Sequence, residues 1–195
     1  RPYWRNDRMK HVPNTLSIIR IFAACAVLVT MLTVPPESKL LFLLVPGLLF
    51  VLASITDLID GYIARKYELV TDFGKFIDPI ADKLLTVFAM LGFLQIDADE
   101  GKLFMFIAIA ATLLREFVVS SLRMYAASAG TVIAAGWSGK LKTTLQVAAL
   151  ISYFLFIRTE YLWIAQALIS LAVVMTLISG ALYICGYMKA RKRIS

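Results

Sequence analysis

Four aspartates fall within a short stretch of the chain: Asp57, Asp60, Asp78 and Asp82. The members of the first pair are three residues apart and those of the second four apart, so on helices each pair projects from one face. Carboxylates are hard oxygen donors, and four of them can hold two Mg²⁺ or Mn²⁺ ions with near-complete cancellation of charge. Such a centre suits diphosphate chemistry, and Arg65 adds a planar cation of the kind that recognises phosphate. Gly61, Ala64 and Gly74 lie within a turn of the acids and leave room for a ligand or a neighbouring helix. The competing reading is simpler: helix-end carboxylates paired with Arg65, Lys66, Lys75 and Lys83.

The elements that must carry these acids are set by composition. Of 195 residues, 60% are hydrophobic and 17% charged, and the mean hydropathy is +0.79. Soluble domains hold about 45–50% apolar residues, so a soluble globule, a disordered chain and a disulfide scaffold are excluded. The apolar residues gather in runs long enough to cross ~30 Å of hydrocarbon as helices. Six transmembrane helices are expected, over residues 16–34, 40–64, 74–96, 103–127, 141–157 and 162–188, making an all-α polytopic membrane protein. The first run stops at Pro35 and Pro36, which cannot continue a helix. Residues 1–195 read as a single membrane domain, with residues 1–13 a basic juxtamembrane segment that lies along the headgroups or extends as a solvated tail. No cleavable signal is expected, because the first apolar run is too long for one and lacks a small-x-small site.

Lys and Arg set the orientation. With the N-terminus in the cytoplasm, that side receives Arg1, Arg5, Arg8, Lys10, Arg65, Lys66, Lys75, Lys140, Lys142, Lys189, Arg191, Lys192 and Arg193, whereas the other receives Lys39, Lys102 and Arg158 beside several acids. An even number of spans then leaves both basic termini in the cytoplasm, as expected of a multi-pass protein of the cell (inner or plasma) membrane. The net charge of +7 is therefore read as membrane orientation and not as nucleic-acid binding. Four carboxylates at the cytoplasmic ends of the second and third spans would cost on the order of 10 kcal/mol without compensation, and bound cations are one means of offsetting it. Cys25 and Cys185 lie inside apolar runs and are read as small hydrophobes.

Asp57-x2-Asp60-Gly61-x2-Ala64-Arg65-x8-Gly74-x3-Asp78-x3-Asp82 resembles the full motif of the CDP-alcohol phosphotransferases, with all eight fixed positions present. The resemblance implies a six-helix membrane fold, usually homodimeric, with an active site that faces the cytoplasm. It implies a dinuclear Mg²⁺ or Mn²⁺ site in which Asp57, Asp60 and Asp78 are ligands and Asp82 is a ligand, the general base, or both. It also implies that the cytidine diphosphate group lies against Gly61 and Ala64, near Gly74, with Arg65 and Thr71 close to the nucleotide and phosphates.

The motif does not identify the acceptor alcohol. Arg115 lies in the fourth span, with Arg123 eight residues on and so about 80° around the helix, and Lys140 and Lys142 open the fifth. Together they suit a small phosphorylated alcohol. Two plainer readings compete: Arg115 pairs with Glu116, and the two lysines are orientation anchors. The Arg115-Glu116-Phe117 triplet, Arg123, the GKLKT stretch around Lys140 and Lys142, and Pro13 to Arg20 resemble the glycerol 3-phosphate-using bacterial branch of the family. In that branch Asn14 and Arg20 are weaker candidates for contacts to CDP-diacylglycerol. The expected reaction joins CDP-diacylglycerol and glycerol 3-phosphate, with release of CMP, at the surface of the lipid bilayer. Inositol phosphate and phosphatidylglycerol are alternative acceptors. A cation transporter is the remote alternative, disfavoured because the acids gather at one face instead of near midplane.

Overall fold

The computed structural model describes residues 4–66, 72–96, 99–128, 137–157 and 159–192. Among them the chain is all-helical: α1 (Trp4–Thr33), α2 (Lys39–Phe42), α3 (Leu48–Lys66), α4 (Asp72–Ile96), α5 (Asp99–Ser128), α6 (Trp137–Phe156) and α7 (Leu162–Lys192). A π-helical turn, Leu43–Gly47, joins α2 to α3 without a break, so seven labels make six rods that match the six predicted segments. Among the described residues, four stretches are long and apolar enough by themselves to cross a membrane: Thr15–Thr33, Lys39–Asp57, Gly101–Ala126 and Leu162–Met188. Leu141–Phe156 is a shorter apolar helix. The protein is an all-α polytopic membrane protein.

Several helices outrun the apolar stretches that announced them. α1 starts at Trp4 and continues through Pro13, α5 starts at Asp99, α6 starts at Trp137, and α7 continues to Lys192. Hydropathy marks the length that crosses hydrocarbon, while backbone hydrogen bonding lets the helix run on past it. The π turn surrounds Pro46, which has no N–H to donate; widening the helix locally accommodates the missing bond. Hydroxyls inside the spans are returned to the backbone, as hydrocarbon requires: Thr30 donates to the Ala26 carbonyl at 2.7 Å, Ser54 to Phe50 at 2.8 Å and Thr176 to Ala172 at 2.7 Å.

The helices pack as two compact units, Arg1–Asp97 with Ile157–Thr159 and Ala98–Phe156 with Glu160–Ser195. In the first, α1 buries Ser17, Arg20, Ala24, Val27 and Met31, a three-four spacing that forms one seam. α4 answers with Ala81, Leu85, Ala89 and Phe93. Ser17 meets Asp78, and Met31 meets Gly92, and the partners in each pair are 61 residues apart in the chain. Equal offsets mean that α1 and α4 run parallel. A Cβ on Gly92 would stand 3.0 Å from Met31 Cβ and 2.5 Å from its Sδ, so glycine is what permits this approach. Phe42 of α2 meets Phe93 of α4 with ring centroids 6.4 Å apart.

In the second unit α7 carries the seam, burying Ala165, Ile169, Ala172, Thr176, Ser179 and Tyr183. Arg115 meets Ser179, Arg123 meets Tyr183 and Tyr125 meets Tyr187, so α5 and α7 are also parallel. α6 buries Lys142, Gln146, Ala149, Leu150 and Tyr153. Outside these seams large apolar side chains stand clear of the protein, among them Phe22, Leu114, Phe117 and Trp163. Such surface is a liability in water and the expected face toward lipid. Cys25 and Cys185 are free and exposed on their helices; Met90 and Met105 are buried, and Met124 is exposed.

Candidate active site

The acidic motif sits where α3 ends and α4 begins. Asp57 lies in the third turn from the end of α3, with Asp60, Gly61, Ala64 and Arg65 following on the same helix. Gly74, Asp78 and Asp82 lie on α4. Thr71 lies outside the described residues, as do the side chains of Asp60, Arg65, Asn14 and Lys140.

α1 reaches both acidic helices with two residues on one of its faces. Arg20, with a side chain only 2% exposed, places Nη1 2.7 Å from Asp57 Oδ1. Ser17, three residues earlier and also buried, donates its hydroxyl to Asp78 Oδ1. Residues three apart on a helix have Cβ atoms roughly 5–6 Å apart. The Asp57 and Asp78 carboxylates are therefore drawn to neighbouring positions on one helix. Neither is closed off, since the Asp57 side chain is 37% exposed and Asp78 is exposed. Asp82 is half-buried one turn beyond Asp78.

This donor chemistry fits hard divalent cations: carboxylate oxygens alone, two of them anchored at one oxygen and open beyond it. Among the described residues no three Asp, Glu, His or Cys side chains stand close enough to share one ion; the Asp60 side chain is not among them. Arg20, a weaker candidate for contacts to CDP-diacylglycerol, pairs with Asp57. Ser17 was not singled out by the sequence, although its three-residue spacing from Arg20 was visible.

In the second unit Arg115, Glu116 and Lys142 form a buried ionic cluster, with side chains 12%, 14% and 8% exposed. Arg115 Nη1 lies 2.8 Å from Glu116 Oε1, and Lys142 Nζ donates to the same oxygen. Arg115 Nη2 donates to Ser179 Oγ at 2.8 Å. The Arg115–Glu116 pairing weighed from the sequence thus exists, but one carboxylate serves two cations, and the cluster keeps a net positive charge. A cation withdrawn from water requires a partner, so this excess favours an anionic visitor. Arg123 is exposed and stands over the Tyr183 ring, 5.9 Å from its centroid. Gly180 faces Arg115, whose Cγ a Cβ there would meet at 3.2 Å.

Comparison with known proteins bears on both clusters. The sequence profile of the CDP-alcohol phosphatidyltransferase family matches residues 10–178. A protein of Rickettsia bellii named CDP-diacylglycerol–glycerol-3-phosphate 3-phosphatidyltransferase is 44% identical over 142 residues, covering 72% of this chain and 73% of its own. Proteins of the same name from Bacillus subtilis and Mycoplasma genitalium are 40% and 35% identical over 149 and 158 residues. They cover 72% and 73% of this chain, and 75% and 64% of their own. The match takes in the acidic motif on α3 and α4 as well as Arg115, Glu116 and Lys142, and the chain belongs to the CDP-alcohol phosphatidyltransferase family.

Proposed function

We propose that the protein transfers the phosphatidyl group of CDP-diacylglycerol to glycerol 3-phosphate, giving phosphatidylglycerophosphate and CMP. Among the structural observations, one supports this acceptor most directly: Arg115 and Lys142 are buried around a single carboxylate, Glu116, and retain a positive excess suited to a phosphorylated alcohol. The relatives named for the same reaction support it independently.

In this reading Asp57, Asp60, Asp78 and Asp82 hold two divalent cations, Mg²⁺ or Mn²⁺, which when bound would neutralise the diphosphate and make the phosphatidyl phosphorus more electrophilic. Ser17 and Arg20 keep two of the acids oriented from α1. Asp82 accepts the proton of the acceptor hydroxyl. The hydroxyl oxygen forms a bond to the phosphatidyl phosphorus, the bond from that phosphorus to the CMP oxygen breaks, and CMP departs with the electron pair. Gly61 and Ala64, which carry no bulky side chain, are assigned to the nucleotide, and Arg65 and Thr71 to the nucleotide and its phosphates. Arg115, Arg123, Lys140 and Lys142 bind the acceptor phosphate. The diacylglycerol tails stay in the bilayer. Both termini lie in the cytoplasm of the cell membrane, and the working form is a homodimer.

The test is CMP release by purified protein in detergent with CDP-diacylglycerol and Mg²⁺ or Mn²⁺. Glycerol 3-phosphate, inositol phosphate, phosphatidylglycerol and serine are compared as acceptors. Release that needs glycerol 3-phosphate and stops with EDTA is the expected result. Release with another acceptor overturns the reading of the cationic cluster, and release that survives EDTA overturns the cation site.

A further inference from the structure

α5 and α7 bury two polar atoms that have no hydrogen-bond partner: Arg115 Nε and the Tyr183 hydroxyl. The other two nitrogens of Arg115 are engaged, Nη1 by Glu116 and Nη2 by Ser179. Its Nε–H has no partner and is a donor with which this cation can grip a ligand. Tyr183 lies one turn beyond Ser179 on the same face of α7 and is about nine-tenths buried, at 9% exposure. Arg123 of α5 covers its ring. Eight residues separate Arg115 from Arg123, about 12 Å of helix, and α5 and α7 run parallel. Tyr183 thus falls between the levels of the two arginines.

A buried hydroxyl with no partner is destabilising, and native proteins seldom retain one without a role. Here phenylalanine would fill the same volume and keep the face that Arg123 covers. Arg115 Nε–H can only donate, the Tyr183 hydroxyl is able to donate, and the charge around them is positive, so the ligand they fit is an oxyanion. Resting on the acceptor assignment above, we infer that the Tyr183 hydroxyl is a specificity-determining contact that donates a hydrogen bond to the phosphate of the acceptor, alongside Arg115 Nε–H.

The chemistry recognised is a phosphate monoester or diester, and both glycerol 3-phosphate and CDP-diacylglycerol carry one, so the test separates them. Tyr183→Phe is compared with the unaltered protein in CMP release with each substrate varied in turn, and in thermal unfolding with and without glycerol 3-phosphate. The expected result is an apparent KM for glycerol 3-phosphate raised about tenfold, as for loss of one hydrogen bond to a charged group, with the KM for CDP-diacylglycerol unchanged. Without acceptor the variant should melt at the same temperature as the parent or higher, and glycerol 3-phosphate should raise its Tm less. A lower Tm with an unchanged acceptor KM would mean that the hydroxyl serves the fold, and overturns the inference. A rise confined to the KM for CDP-diacylglycerol overturns it too, since the contact would belong to the donor. Failure of the unaltered protein to use glycerol 3-phosphate would instead overturn the proposed function, a distinct outcome.

Discussion

Arg20 of α1 and Asp57 of α3 form an ion pair at 2.7 Å in which the cation is almost wholly enclosed and the acid is 37% exposed. The asymmetry matters. The guanidinium has almost no access to water and takes Asp57 as a charge partner, whereas the carboxylate keeps a side open toward a ligand. A residue from the first helix thereby fixes an acid of the motif without belonging to it.

Arg20→Ala removes that partner and a buried side chain together. Stability is expected to fall by about 1–2 kcal/mol, less than the ~3–5 kcal/mol of a fully buried pair because Asp57 is partly solvated. Activity should fall with it. Arg20→Lys, which keeps the charge but not the planar fork, should recover most of the stability and less of the activity. Thermal unfolding and CMP release measured on both variants check this, and equal recovery of the two quantities would contradict it.

Ser17→Ala removes the hydroxyl that donates to Asp78. Mn²⁺ binding, measured directly by electron paramagnetic resonance, should weaken several-fold, as for loss of about 1 kcal/mol from one hydrogen bond. Ser17→Thr should restore it. Unchanged Mn²⁺ affinity in the alanine variant would remove Ser17 from the ion site.

Asp82→Asn tests the proton acceptor. Turnover should drop by at least about 100-fold, the usual worth of a positioned base, while CDP-diacylglycerol is still retained in equilibrium binding. Near-normal turnover would show that the acceptor proton leaves by another route.

Lys142→Ala takes one of the cations away from Glu116 and leaves its pairing with Arg115 in place. The apparent KM for glycerol 3-phosphate should rise far more than that for CDP-diacylglycerol, because the cluster loses its positive excess. An acceptor response equal to that of the unaltered protein would place the phosphate elsewhere.

Gly92→Ala forces a Cβ against Met31 at the α1–α4 contact. Overpacking of this kind costs about 1–3 kcal/mol. Met31→Ala in the same chain should relieve part of the loss, and a double-mutant cycle in thermal unfolding reads the coupling. Additive losses would mean that the helices separate there by another route.

Much of this protein was legible before its structure. Apolar run length and charge position gave the fold class and the six segments, because crossing hydrocarbon imposes local rules on length and backbone hydrogen bonding. The chain likewise displays Asp57, Asp60, Asp78 and Asp82 at helical spacing, and Arg115 beside Glu116, since each is a matter of neighbours along one helix. Helix ends were less legible, as α1 and α5 show, because a helix need not stop where the lipid does. Partner choice between helices was not legible at all. That Ser17 meets Asp78, that Arg20 meets Asp57, that Glu116 serves both Arg115 and Lys142, and that Tyr183 is buried beneath Arg123 all depend on the register in which parallel helices pack. Register is set by the sum of many small contacts along each seam, Gly92 against Met31 among them, and no single stretch of sequence contains that sum.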